Sequence, residues 1–248
     1  ALTMSNADGR WSNVLSNTSG GTGVSCLRYG NGTTFGTTPT SQDGSTTDEN
    51  QARWGGIDDS GECEPNLSQS GFGFDVTNGP LTFNPGQTFL LGKFTHFNNP
   101  VYFSSADDTP VSMDLAVALN FSDPPATNVT FNYNVLFHET QNTGVPCPYG
   151  GNANGCYDRV TFPGSLPDQT FNIGGVDYTL QVIGFVPGTA GACPATPAGA
   201  TSSIYTTAEN TNNYAGLYAQ IVTRLDFGDA PDTAGQTLLP NGARHNIT

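Results

Sequence analysis

Period-two alternation of apolar and polar residues marks most of the regular structure in this chain. Phe72, Phe74 and Val76 share one face of segment 70–76. Val111, Met113, Leu115, Val117, Leu119 and Phe121 do so in 111–121, opposite Ser112, Asp114 and Asn120. Val129, Phe131, Tyr133, Val135 and Phe137 repeat the pattern in 129–137. In 176–186 it runs through Val176, Tyr178, Leu180 and Val182, then shifts to Phe185. Segment 214–225 alternates on both faces, Tyr214, Gly216, Tyr218, Gln220 and Val222 against Ala215, Leu217, Ala219, Ile221 and Thr223. Such alternation predicts half-buried strands.

Turn signals separate them: Asn78-Gly79-Pro80, Asn84-Pro85-Gly86, Asp123-Pro124-Pro125 and Asn172-Ile173-Gly174-Gly175. The last, flanked by Thr170-Phe171 and Val176-Asp177-Tyr178, predicts a hairpin. Long antiparallel strands with one apolar face must stack as two sheets, so the expected fold is an all-β sandwich of jelly-roll type. We expect one domain over 1–225, with 226–248 a linker or terminal strand leading to a following module. Residues 30–62 and 187–203 lack alternation and are expected as long polar or low-complexity loops.

Composition agrees with strands and turns. Helix-forming tracts are absent, while Thr, Val, Phe and Tyr are common beside 31 glycines. Only 11% of residues are charged, and 21 acidic against 7 basic residues leave a net charge of −14. That field repels nucleic acid and anionic lipid and favours divalent cations, with calcium the natural expectation for oxygen-rich loops. No run of about 18 apolar residues predicts a membrane-spanning helix. A start at Ala1, without a leader pattern, is what a processed exported protein would show.

Five cysteines refine the compartment. The Gly/Asn-rich loop from Cys147 to Cys156 is suited to closure, and Cys26 with Cys63 is the next pair, leaving Cys193 odd. Zinc sites usually show closely paired cysteines, which this chain lacks, so disulfides and an extracellular setting are expected.

Candidate chemistry is sparse. His96 is one of three histidines and follows Lys93, the only lysine. Thr95, His96 and Asn98 at a strand end are expected to act as a structural lock, Thr95 and Phe97 on one face and His96 and Asn98 on the other. Glu139 inherits the inward parity of 129–137 and therefore needs a partner: Arg159, His96 or a cation. Candidate calcium ligands are Asp43, Asp48, Asp58, Asp59, Glu139 and Asp158, although none follows the EF-hand order. Trp11 and Trp54 are candidates for stacking on sugars. The sequence contains no Gly-x-Ser-x-Gly, His-Glu-x-x-His or Gly-x-x-x-x-Gly-Lys-Ser/Thr motif, and no catalytic residues are expected.

The run Leu91-Gly-Lys-Phe-Thr-His-Phe-Asn98 resembles the signature of the THxN, or choice-of-anchor-type, family of exported bacterial surface proteins. Trp54-Gly55, Ser70-Gly71-Phe72, His138-Glu139-Thr140, Cys147 through Cys156-Tyr157-Asp158-Arg159-Val160 and Tyr178-Thr179-Leu180 resemble it in matching order. The segment from Asp226-Phe-Gly-Asp-Ala-Pro-Asp232 to Gly242-Ala-Arg-His245 resembles the opening of another surface-protein module. The resemblance implies an exported β-rich domain and no established activity. A C-terminal sorting helix, usual in that family, is not visible, which leaves the mode of anchoring open.

The expected role is a secreted, non-enzymatic structural or adhesive module of the cell surface or an extracellular fibre, stabilised by calcium. Its partners would be copies of itself, other surface proteins or glycans, with 1–9 and 226–248 the segments suited to assembly. A carbohydrate-binding module is the alternative, and a secreted hydrolase the third reading.

Overall fold

The computed structural model describes residues 1–16, 23–43, 49–56, 62–63, 69–101, 109–142, 146–163, 169–188, 193–223, 225–226 and 245–246. Its strands in chain order are β1 (Leu2–Ser16), β2 (Arg28–Gly30), β3 (Phe35–Gly36), β4 (Asn50–Trp54), β5 (Ser70–Val76) and β6 (Leu81–Phe83). There follow β7 (Thr88–Asn98), β8 (Pro110–Phe121), β9 (Thr127–His138), β10 (Gly151–Asn152), β11 (Gly155–Cys156) and β12 (Asp158–Thr161). The last are β13 (Thr170–Ile173), β14 (Val176–Pro187), β15 (Ile204–Thr207), β16 (Thr211–Thr223), β17 (Leu225–Asp226) and β18 (His245–Asn246).

Two antiparallel sheets make the sandwich. One has six strands in the order β15-β12-β9-β8-β1-β6, the other eight in the order β13-β14-β16-β7-β5-β4-β2-β3. The chain crosses repeatedly between them, for example β5 to β6 to β7 to β8. β10 pairs with β11 and β17 with β18 as separate ribbons.

The alternating segments supply the facing layers. Met113, Leu115, Val117, Leu119 and Phe121 of β8 and Phe131, Tyr133, Val135 and Phe137 of β9 are buried in one sheet. Phe72, Phe74 and Val76 of β5 and Phe89, Leu91 and Phe94 of β7 meet them from the other. Val111 departs from its pattern, lying 37% exposed while its neighbours Pro110 and Ser112, the latter expected on the polar face, are buried, so the inward parity is reversed at the start of β8. In β16 the face with Ala215, Leu217, Ala219 and Ile221 is the core face. Tyr218 on the other face is also buried, because its hydroxyl donates to the Pro194 carbonyl at 2.8 Å and the 193–203 segment covers it.

The predicted hairpin is β13–β14, turning through Gly174 and Gly175 at φ +61° and +84°, values that favour glycine at both positions. The shift before Phe185 is a bulge between Val182 and Gly184, whose φ of +126° is again glycine territory.

Two expectations change. The polar stretch 30–62 is not only a loop: β4 pairs with β5 and β2, and Asn50 and Gln51 are buried despite their polarity. Asn50 can go inside because its side-chain amide donates to the Gly9 carbonyl at 2.8 Å, and its main-chain carbonyl accepts from the Trp11 indole at 3.2 Å, although its side-chain oxygen is left without a partner. Residues 1–9, expected as an assembly segment, belong to β1, which pairs with β8 along one side and through Leu2–Met4 with β6 on the other. Leu2, Met4 and Ala7 point into the core.

Both predicted disulfides are present, Cys26–Cys63 and Cys147–Cys156, with Cys193 a half-buried thiol. Among the described residues no helix is long and apolar enough to cross a membrane.

Phe72 lies at the centre of the aromatic core. Its ring meets Trp11, Trp54, Phe94, His96 and Phe137 at centroid distances of 5.6, 5.2, 5.1, 5.0 and 5.1 Å. Phe72→Ala is therefore expected to lower stability by about 3–5 kcal/mol, measured by urea unfolding. Leu15→Ser, at a side chain 58% exposed, should stay within about 0.5 kcal/mol of the wild type.

Candidate functional site

The Thr95-His96-Phe97-Asn98 run closes β7, an interior strand between β5 and β16. Parity sends its side chains to two faces, and each polar residue has a different task. Thr95 donates its hydroxyl to Glu49 Oε2 at 2.5 Å. Lys93, on the same face, stands 3.4 Å from Asp75 and 4.0 Å from Glu49. Phe97 is covered by the Arg53 guanidinium, 3.2 Å from the ring centroid. Burial pushes the Glu49 carboxyl up and lowers Arg53 to about 10.

His96 and Asn98 face the core and are fully buried. The imidazole is surrounded by Trp54, Phe72 and Phe137, and its Nδ1 shares a 2.8 Å hydrogen bond with Thr207 Oγ1. Thr207 belongs to β15 in the opposite sheet, so this bond crosses the sandwich. Burial, then the charge of Arg53, lowers the His96 pKa to about 3. The ring is neutral in the folded protein.

Asn98 leads to the second constellation. Its side chain lies by Asp158 and favours that carboxylate's charged form, yet neither of its own polar atoms completes a hydrogen bond. Asp158 opens β12, where it pairs with Thr207. Its Oδ1 accepts from the Thr140 amide and hydroxyl at 2.8 and 2.9 Å. Glu139 directly follows β9, and Glu209 sits in the turn between β15 and β16. One carboxylate oxygen from each of Glu139, Asp158 and Glu209 lies within 4.8 Å of the others.

Asp158 and Glu209 are fully buried and Glu139 half-buried. Glu139 Oε2, Asp158 Oδ2 and both Glu209 oxygens are buried without a hydrogen-bond partner. Burial is the main force raising the pKa of all three; repulsion from its acidic neighbours adds to it at Glu139 and Asp158, whereas the Asn142 side chain and the Asn210 amide pull Glu209 partly back down.

The partners expected for Glu139 are engaged elsewhere. Arg159 lies 4.5 Å over the Tyr149 ring, and His96 turns to Thr207. His138, next to Glu139, bonds Tyr149. Chemically the cluster is a set of hard oxygen donors in a low-dielectric pocket. Burial of Asp158 and Glu209 also keeps it from acting as the carboxylate pair of an open glycosidase cleft.

Of the other predicted ligands, Asp43 is apart from this set, its Oδ2 accepting from the Asn31 amide at 2.9 Å. Asp48, Asp58 and Asp59 lie outside the described residues. Trp11 and Trp54 require correction as sugar-stacking candidates. Both are fully buried between the sheets, because their large apolar surface is what fills the core around Phe72.

Glu209 is the residue that sequence reasoning missed. Its signal is modest: Tyr205 and Thr207 alternate inward in β15, and the same parity carries Glu209 inward just past the strand. No protein-family model matches the chain, and no curated protein matches it in sequence.

The neutral, buried His96 gives a pH-dependent stability. Between about pH 3 and 6.5 the unfolded chain holds a proton on this ring that the folded chain does not. Stability from this residue is therefore complete above pH 6.5 and falls as pH drops below it, at a limiting slope of about 1.4 kcal/mol per pH unit. Urea unfolding at pH 6 and pH 5 should show His96→Gln losing about 1 kcal/mol less than the wild type across that step.

Proposed function

We propose that this chain is a secreted, non-enzymatic structural or adhesive module of a cell surface or extracellular fibre. The observation that carries the reading is a doubly disulfide-bonded antiparallel sandwich whose most chemistry-bearing side chains are turned inward to hold the fold. Disulfides persist in oxidising compartments. His96, Trp11 and Trp54, the residues best suited to catalysis or ligand stacking, are fully buried and occupied with packing. Low charge density and the run of residues 91–98 resembling THxN surface proteins support the same reading.

Self-association is the natural mode of action for such a module. The sheets end in β15 and β6 and in β13 and β3, and edge strands are the surfaces that accept a strand from another chain. The alternative, a carbohydrate-binding module, loses the tryptophan platform that suggested it.

Electron microscopy and light scattering on the purified chain should show ordered assemblies, or capture by a surface-protein partner. Deleting residues 226–248 should weaken assembly if that segment is donated between copies. A strictly monomeric protein that hydrolyses glycans or esters in an activity screen would overturn the reading.

A further inference from the structure

The carboxylates of Glu139, Asp158 and Glu209 present up to three negative charges to one another inside the protein, and no described basic residue neutralises them. Arg10 pairs with Asp8, and Lys93 with Asp75 and Glu49. Arg28 lies over Phe35, Arg53 over Phe97 and Arg159 over Tyr149. Burying charges without a partner is strongly unfavourable, and buried carboxylate oxygens normally accept hydrogen bonds. Here four of them, on three residues, complete no hydrogen bond of good geometry, the nearby donors being Asn98 beside Asp158 and Asn142 and the Asn210 amide beside Glu209. The fully buried Asn98 adds a further polar side chain to the cluster, its amide lying beside Asp158 and favouring that carboxylate's charged form.

We propose that Glu139, Asp158 and Glu209 bind one calcium ion, which joins the end of β9, the start of β12 and the β15–β16 turn. The donor set is all oxygen, as calcium and magnesium require, and contains neither imidazole nor thiolate. Oxygens within 4.8 Å of one another can be spanned by a single ion with metal–oxygen distances of about 2.3–2.6 Å. Magnesium, with shorter bonds of about 2.0–2.1 Å and a strict octahedron, suits the same spacing less well.

The position gives the ion a structural task. β9 and β12 belong to the six-stranded sheet, whereas β16 belongs to the eight-stranded one. An ion held by Glu139, Asp158 and Glu209 thus ties the sheets together and closes the base of the loop that Cys147–Cys156 staples.

The test compares wild-type protein stripped with EDTA, and the variants Glu209→Gln and Glu139→Gln, by calorimetric titration and thermal melting with CaCl2 or MgCl2. Wild type should take up calcium with a stoichiometry near one and gain roughly 5–10 °C in Tm at about a hundredfold excess over Kd. Glu209→Gln should melt higher than the wild type without metal, because a buried charge is gone, and should bind calcium at least tenfold more weakly. A purely structural Glu209 would give the opposite sign in the metal-free melt. Absence of heat and of any Tm shift up to millimolar calcium would overturn the site, as would wild-type affinity in both variants. Magnesium acting as well as calcium would overturn the choice of ion. If Glu209→Gln does not fold, the calcium affinity of Glu139→Gln decides.

Discussion

Phe72 is the contact on which the rest of the architecture depends. Its ring, carried by the eight-stranded sheet, packs directly against Trp11 and Phe137 of the six-stranded sheet and against Trp54, Phe94 and His96 of its own. Two twisted sheets can share a core only where side chains from both faces interdigitate. In a chain with few charged residues, aromatic area does most of that work. Strand order, crossing pattern and the placement of both tryptophans all serve this seam.

That seam imposes a condition on every polar group drawn into it. Asn50 meets it in part, through its amide's bond to the β1 backbone, and His96 in part, by staying neutral and bonding Thr207 across the sandwich through Nδ1. Gln42 does so by clasping both backbone polar atoms of Trp11, at 2.7 Å each. The Glu139, Asp158 and Glu209 oxygens do not satisfy it with protein groups. Unpartnered atoms occur elsewhere in the core, Asn50 Oδ1 and His96 Nε2 among them, but among the described residues only here do three carboxylates converge.

The Thr-His-x-Asn run connects these themes. One strand end pins Glu49 on the outer face through Thr95, reaches the opposite sheet through His96, and sets Asn98 beside Asp158. A scarce histidine suggests catalysis when met in isolation. With aromatic rings around it and no solvent contact, its role is to join sheets.

Much of this was legible in the residues alone, because period-two burial is a local property. The alternation in 70–76, 111–121 and 129–137 predicts the strands and, apart from Val111 and Ser112, the inward face of each, and the Gly174-Gly175 turn predicts its hairpin. The inward parity of Glu139 and the nine-residue separation of Cys147 and Cys156 are equally local. Strand order, by contrast, depends on contacts between residues far apart in sequence, and only the tertiary structure decides it. So it was with β4, whose polar Asn50 is buried because a distant strand supplies its partners, and with β16, where both faces alternate and the covering segment decides what is inside. Glu209 stands 51 residues beyond Asp158 by sequence number and meets it through the β12–β15 pairing. The sequence determined a disulfide-bonded antiparallel sandwich. Which acids would face one another inside it was decided by folding, since long-range register alone brings those carboxylates within reach of a shared ion.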